Sequence, residues 1–276
     1  AAQKATNFVG SPATAVAAFR KFGDARAVIE SNSSPSGRDL AMVIDPQTQV
    51  EATTLAQGLF NSQKQIARQY EDGNMLRANG WNWHMTPNIY RHTTGPLGGA
   101  APLVDGAQTG ASIITKSWTA AAANRLLLGD KITFGALTDS DGGVRGINPV
   151  NGKTNSFLQV FTATADVDST AGGAATIPID PPITPSGAYK TVNHSVANNS
   201  TVQIFGHAST YANKVSAMNL ALHQDSMVWA MAPMYLPKNT DFGAVAKDPK
   251  TGLSLRFWRD PVIKDNMIIS RIDILF

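Results

Sequence analysis

The sequence contains no cysteine. This absence excludes a disulfide scaffold, a zinc-finger site, an iron–sulfur cluster and a cysteine nucleophile. Charged residues are also scarce, because Asp, Glu, Lys and Arg make up only 16% of the 276 residues. Apolar residues hold a near-normal share of 43%, so disorder along the whole chain is excluded as well.

The chain lacks a strong excess of charge of either sign. Lys and Arg number 23 against 20 Asp and Glu, which leaves a formal net charge of +3. This small, dispersed excess does not predict a nucleic-acid-binding stripe. The basic residues of the first third lie among polar residues and are interpreted as solvated faces, with a basic face close to DNA as the alternative. They are Arg20, Lys21, Arg68, Arg77 and Arg91.

No stretch reaches the ~18 consecutive apolar residues of a membrane-spanning helix, so we expect no membrane partner. The first residues, Ala1 to Lys4, carry neither an initiator Met nor an apolar signal core. We therefore expect no secretory signal. We also expect either that processing removed a preceding segment or that this sequence is part of a longer product.

Local patterns in the first third predict helices and one buried strand. Ser11-Pro12 is a helix start, and capping boxes at Thr48–Glu51 and Ser62–Gln65 predict two more helices. The short apolar run 40–44 predicts a buried strand, and the apolar residues from Trp81 to Ile89 predict an extended segment.

From Gly95 to about Ser209 the chain becomes rich in Gly, Thr, Asn, Pro and Ala. Short β-like runs alternate with turn residues, which is typical of a small barrel or sandwich. The predicted strands are 113–115, 131–134, 157–167, 175–180 and 201–205. Near the C-terminus, two alternating segments flank Lys264-Asp265-Asn266 and predict a β-hairpin.

Motifs of known chemistry are incomplete. Gly152-Lys153-Thr154 lacks the upstream Gly of a phosphate loop and is interpreted as a hairpin turn. Asp139 to Gly142 lacks the further positions of a calcium loop. The five histidines, His84, His92, His194, His207 and His223, show no metal-binding spacing, so any one of them is interpreted as a hydrogen-bonded residue. A Ser-His-Asp triad assembled in three dimensions stays open.

Two apolar clusters favour packing over ligand binding. The Trp81 and Trp83 pair, and the methionines at 227, 231 and 234, are typical of a core or a subunit interface, with a ligand groove as the alternative.

The order of segments is more informative than any motif. In the β-rich region it runs LGDKITF at 128–134, VRGINP at 144–149, LQVFTATADV at 158–167 and AATIPIDPPI at 174–183. In the last quarter it runs NLALHQD at 219–225, LPK at 236–238, TGLSLR at 251–256 and RIDIL at 271–275. Taken in order, these stretches resemble the major capsid proteins of tailed phages with the HK97 fold, most closely the P22 coat protein group. A weaker likeness runs through residues 60–95.

The resemblance implies an α+β, HK97-like fold with P- and A-domains and an inserted small β-barrel. The implied domains are a junction helix and strand at 1–45, the first part of the A-domain at 46–96, the insertion domain at 97–209, the second part of the A-domain at 210–250 and a P-domain β-hairpin at 251–276. The N-terminal arm, extended loop and spine helix of the family have no counterpart in this sequence.

The implied function is structural: pentamers and hexamers of an icosahedral capsid around packaged double-stranded DNA. The implied partners are copies of the chain, scaffolding and portal proteins and cementing proteins. The location is the virion, after assembly in the bacterial cytoplasm, which suits a chain without cysteine. Asp105 and Gly106 are the candidates for a loop between capsomers. We expect no enzyme activity, catalytic residue, cofactor or metal.

Two other classes stay open. A tail- or fibre-associated or carbohydrate-binding β-domain protein would form a small oligomer and bind glycans, although the capped helices count against it. A hydrolase with a distributed active site would need a deep pocket with perturbed titratable groups, and the scarcity of charged residues counts against it.

Overall fold

A computed structural model describes the chain from residue 5 to residue 274, except residues 36, 38, 57–72, 74, 99–100, 141, 206–210, 228–230, 233, 239 and 250–251. The chain divides into two compact units, Ala1–Gln224 and Asp225–Phe276. The domain boundaries expected within the first unit stay a prediction.

The described helices of the first unit pack against a four-stranded sheet. Its strand order is β16-β1-β3-β2, and β1 and β3 run parallel. The strands are β1 (Leu40–Ile44), β2 (Arg77–Ala78), β3 (Trp81–Met85) and β16 (Leu220–His223), and the helices are α1 (Arg20–Ser31) and α2 (Pro46–Ala56). One core joins Phe22 of α1, Ala52 of α2 and the fully buried Trp81 of β3. The indole N–H of the buried Trp81 is satisfied inside this core, because Nε1 donates to the carbonyl of Phe22 at 3.0 Å.

A six-stranded barrel forms the other core of the first unit. The strand order is β14-β8-β11-β13-β6-β5, and a bridge between Leu103 and Thr201 joins the two end strands. The strands are β5 (Leu103–Val104), β6 (Gly110–Lys116), β8 (Lys131–Phe134), β11 (Phe161–Ala163), β13 (Ala175–Ile183) and β14 (Val202–Ile204). Alternate side chains point inward and exclude water, among them the fully buried Phe134 and Phe161.

Three two-stranded ladders complete the first unit. They pair β4 (Arg91–Thr93) with β15 (Val215–Ala217), β7 (Ala123–Leu126) with β12 (Val167–Ser169), and β9 (Arg145–Ile147) with β10 (Thr154–Leu158). The β9–β10 turn contacts the end of α1, because Asn148 Nδ2 donates to the Ser31 carbonyl at 2.7 Å.

The second unit is a three-stranded antiparallel sheet of order β17-β18-β19. Its strands are β17 (Phe242–Lys247), β18 (Ser254–Val262) and β19 (Met267–Ile274). The predicted C-terminal hairpin is present as β18 and β19, and the turn includes Asn266 with a positive φ of 46°, which Asn tolerates better than most residues.

The expected α+β, HK97-like fold class is wrong. Of the described residues, 39% are in strands and 11% in helices, and these residues include only two α-helices. The physical reason is that short apolar runs alternate with polar residues and are separated by turns rich in Gly and Asn. Such runs favour strands with one buried side, and the turns are too frequent for long helices. The strand predictions at 40–44 and 131–134 are confirmed to the residue.

Two helix starts were also placed wrongly. The segment after Ser11-Pro12 is irregular, and α1 begins only at Arg20. Helix α2 begins at Pro46, where Asp45 Oδ2 accepts a hydrogen bond from the Gln47 N–H at 3.2 Å. The Thr48 hydroxyl, expected to cap this helix, instead accepts a hydrogen bond from Asn219. The capping box at 62–65 lies outside the described residues.

Candidate assembly surface

The C-terminal sheet separates its side chains into two unlike faces. Residues directly opposite one another on antiparallel strands share a face. The pairings place Ala244, Phe257 and Ile272 in one row, and Ala246, Leu255 and Ile274 in the next. We call this side the apolar face; its large members are Phe242, Leu255, Phe257, Ile268, Ile272 and Ile274.

The apolar face is open. Phe242, Ile268, Ile272 and Ile274 each expose half or more of their surface, and Leu255 exposes 39%. Phe242 and Phe257 contact each other edge to face, with ring centroids 5.9 Å apart. The same face also carries Arg259 and Ser270, in the row of Phe242. Isolated exposed apolar residues are normal in proteins, but a group of large ones on one sheet face marks a contact surface.

The opposite face holds most of the charged side chains and is partly covered, and Val245, Met267 and Ile269 are exposed apolar residues on it. The side chain of Leu236 lies 2.7 Å from the position that a Cβ on Gly243 would take, so this segment packs directly on the sheet. Asp273 Oδ2 accepts hydrogen bonds from Arg256, and Asp273 Oδ1 accepts one from Arg271 at 2.5 Å. These bonds, from Arg256 first, lower the pKa of Asp273 and keep its carboxylate ionised.

A second candidate site lies in the first unit, where three titratable residues meet. His92 Nε2 and Asp130 Oδ1 are 2.8 Å apart, and both side chains are buried. Asp130 Oδ2 also accepts the N–H groups of Gly95 at 3.1 Å and Leu127 at 2.8 Å. The carboxylate therefore joins strand β4 to the turn before β8. Its hydrogen bonds indicate a structural role.

Lys131 lies beside this carboxylate and contacts the N-terminal segment. Its Nζ donates to the Ala5 carbonyl at 2.5 Å and to Thr162 Oγ1 at 2.8 Å. Burial lowers the pKa of Lys131 to about 8, although the charges of Asp130 and Asp180 oppose the shift. A cavity of about 410 Å³ adjoins Lys131; Phe8, Val16, Ile29 and Leu220 are among its lining residues.

The buried amine predicts an unusual pH dependence of stability. The pKa of Lys131 is about 8 in the folded chain and 10.5 in the unfolded chain, so between these values the unfolded chain binds more protons. The free energy of unfolding should therefore rise with pH in this window, by at most about 1.4 kcal/mol per pH unit. Below pH 8 the full penalty of the buried charge is present. Urea unfolding of the parent and of Lys131→Met between pH 7 and 10.5 measures the effect.

Lys153→Met is the matched control, because Lys153 is an exposed lysine in the β9–β10 turn. We expect the slope to disappear in Lys131→Met and to persist in Lys153→Met. Equal slopes in all three proteins would contradict the assignment.

The predicted loop residues Asp105 and Gly106 lie together after β5. The Asp105 carboxylate is 3.0 Å from Lys116 Nζ, and the Gly106 N–H donates to Asn198 Oδ1 at 2.9 Å. Gly106 has a φ of 80°, which favours glycine. The loop is exposed but held by its own contacts, and its role between capsomers stays a prediction.

The other motif residues have local partners. Gly152-Lys153-Thr154 lies in the β9–β10 hairpin, as the turn interpretation predicts. Asp139 Oδ2 accepts the Ala136 N–H at 2.7 Å. His194 contacts the carbonyls of Ser195 and Gly143. Trp81 and Trp83 are buried core residues. His207, Arg68 and Asp141 lie outside the described residues.

Sequence reasoning missed the polar cluster and the difference between the sheet faces. His92, Asp130 and Lys131 meet only through the pairing of distant strands, and the adjacent Asp130-Lys131 was the only local signal. Among the described residues, no three His, Asp or Glu side chains are grouped to hold a metal ion. Within those same ranges, no helix has the length and apolar character to cross a membrane.

No family model and no curated protein matches the chain significantly. Function must therefore be inferred from the residues themselves.

Proposed function

We propose that the chain is a structural subunit that assembles with copies of itself, and specifically a subunit of an icosahedral phage capsid. The observation that carries the proposal is the apolar face of the C-terminal sheet. Sheets bury an apolar face against another layer, and among the described residues of the second unit no layer covers this one. The proposal does not use the HK97-like fold class, which the strand-rich structure contradicts.

A second copy is the occupant that best fits the apolar face. Three strands of about eight residues cover roughly 350 Å², so two such faces together bury about half of a standard interface. A contact of this size is weak between two isolated copies. It becomes effective in a closed array, where each subunit makes several contacts at once.

The capsid is the more specific part of the proposal and comes from the order of segments in the sequence. It assigns the chain to the virion, after assembly in the bacterial cytoplasm, with scaffolding, portal and cementing proteins as partners. The low charge suits surfaces that are buried against neighbouring subunits. The modest net charge of +3 allows non-specific proximity to packaged DNA.

The predominance of β-strand keeps one second candidate, a tail- or fibre-associated or carbohydrate-binding protein. Particle mass separates the two. A capsid subunit forms shells in the megadalton range, whereas a fibre protein forms a small oligomer and binds glycans saturably.

Replacing Ile272 by lysine should abolish assembly. The change places a charge on the apolar face beside Phe257, and burying that charge without a partner costs several kcal/mol per contact. We expect the assembled fraction to fall about tenfold or more. Light scattering after size-exclusion chromatography, with electron microscopy of the same fractions, measures the assembled fraction.

Ile269→Lys is the matched control. Ile269 lies on the same strand but on the opposite face, and its exposed fraction of 53% is close to the 63% of Ile272. We expect Ile269→Lys to assemble like the parent. If the parent stays monomeric, or if both variants lose assembly equally, the apolar face is not the assembly surface.

A further inference from the structure

The outer edge of β19 is open to another strand. In the sheet order β17-β18-β19, the described residues place β18 on one side of β19 and no strand on the other. β19 (Met267–Ile274) has eight residues without Gly or Pro, and its side chains are almost all exposed. Such an edge presents unpaired N–H and C=O groups and can template another strand.

The barrel and the edge strand β17 are less suitable. The barrel joins its end strands through the Leu103–Thr201 bridge, so it has no comparable free edge there. The edge strand β17 is shorter, contains Gly243 and ends at Lys247. Glycine weakens a strand and lysine protects an edge. The edge of β19 has neither feature.

Symmetry limits how two copies of β19 could pair. Directly opposite residues share a face, and successive residues alternate faces. When two identical strands pair antiparallel about a two-fold axis, the apolar face of one copy must continue into the apolar face of the other. This happens only when one residue lies on the axis, directly opposite the same residue of the partner subunit. Each choice of axial residue defines one register.

Charge distinguishes these registers. An axis at Arg271 or at Asp273 would place like charges directly opposite each other, which is destabilising. An axis at Ser270 would place both charges opposite apolar residues. An axis at Ile272 instead places Arg271 opposite Asp273 of the partner subunit, and it does so twice. Among the residues of β19, only this register pairs opposite charges.

We propose that β19 pairs antiparallel with β19 of a second copy about a two-fold axis at Ile272. The pairing rests on the proposed self-assembly and specifies one of its contacts. It joins two sheets into one six-stranded sheet, whose apolar face covers roughly 700 Å². That area approaches what one partner contributes to a standard interface, so edge pairing prepares the apolar face for its own contact.

The absence of cysteine makes a direct test simple. Single cysteines are introduced at positions 268, 270, 272 and 274 of the full chain, and each variant is assembled, oxidised and analysed by non-reducing gel and intact mass. Opposite Cα atoms in antiparallel strands are about 4.5–5.5 Å apart, which is within disulfide range. We expect Ile272→Cys to convert most of the chain into a linked dimer and the other single variants to remain unlinked.

A double variant protects the test against unfavourable disulfide geometry at the axis. In the proposed register Ser270 lies opposite Ile274 of the partner subunit, so Ser270→Cys combined with Ile274→Cys should link although neither single variant does. Particles without a link in either Ile272→Cys or the double variant would overturn the pairing and leave the proposed function standing. Linking of Ser270→Cys alone would also overturn it. If the cysteine-free parent forms no particles, the proposed function fails, and the pairing fails with it.

Discussion

Replacing Phe161 by alanine is expected to lower the free energy of unfolding by about 3–5 kcal/mol. Phe161 is fully buried in the barrel, and its ring centroid lies 5.3 Å from that of Phe134. The change removes apolar surface from the core and leaves a cavity that the closed barrel cannot collapse to fill. Urea unfolding of the parent and the variant measures the difference.

Tyr189→Ala is the control for Phe161→Ala, since Tyr189 is an aromatic residue that exposes 89% of its surface. We expect a change within about 0.5 kcal/mol for this control. A loss below about 1 kcal/mol in Phe161→Ala would mean that the barrel core is not packed as described.

Short strands could be predicted from sequence where burial and local pattern agree. β1 (Leu40–Ile44) is an entirely apolar run that ends at Asp45-Pro46, and β8 (Lys131–Phe134) ends at a glycine. Both signals lie within a few residues of the strand. The fold class could not be obtained in the same way, because it depends on which strands pair. The bridge between Leu103 and Thr201 joins residues far apart in sequence.

The error at the first helix has a similar cause. Ser11-Pro12 carries a valid helix-start pattern, yet the segment before α1 is held by distant groups at Val16 and at Ala5. The Val16 N–H donates to Glu51 Oε2 at 3.0 Å, and Lys131 Nζ donates to the carbonyl of Ala5. Tertiary hydrogen bonds of this kind override local capping preferences. No local pattern contains the partners that make them.

The candidate assembly surface was only partly predictable. Alternation of apolar residues correctly indicated the two C-terminal strands, but it marked apolar residues on both faces, such as Ile269 and Ile272. Which face is covered depends on Leu236, whose side chain packs over Gly243. The register of β18 and β19 then assigns Arg256 and Asp273 to that covered side. Neither fact is encoded in the strands themselves.

Asp130→Ala should have an effect as large as the loss of Phe161. The Asp130 carboxylate is almost fully buried and accepts hydrogen bonds from two backbone N–H groups, those of Gly95 and Leu127, besides its contact with His92. Alanine leaves both N–H groups and the imidazole buried without this acceptor, and each unsatisfied group costs about 1–3 kcal/mol. We expect a loss of about 3–5 kcal/mol in urea unfolding.

Asp130→Asn separates the role of shape from the role of charge. The amide keeps the volume of the carboxylate but offers one acceptor oxygen instead of two, so it can satisfy only one side of the junction. We therefore expect it to lose less stability than Asp130→Ala. Asp168→Ala, at an exposed aspartate of β12, should change stability by no more than about 0.5 kcal/mol. Equal stability of all three variants and the parent would show that the carboxylate does not hold β4 to the barrel. A large loss confined to the Asp130 variants would assign the Asp130 carboxylate, with its hydrogen bonds to Gly95, Leu127 and His92, to the stability of the first unit.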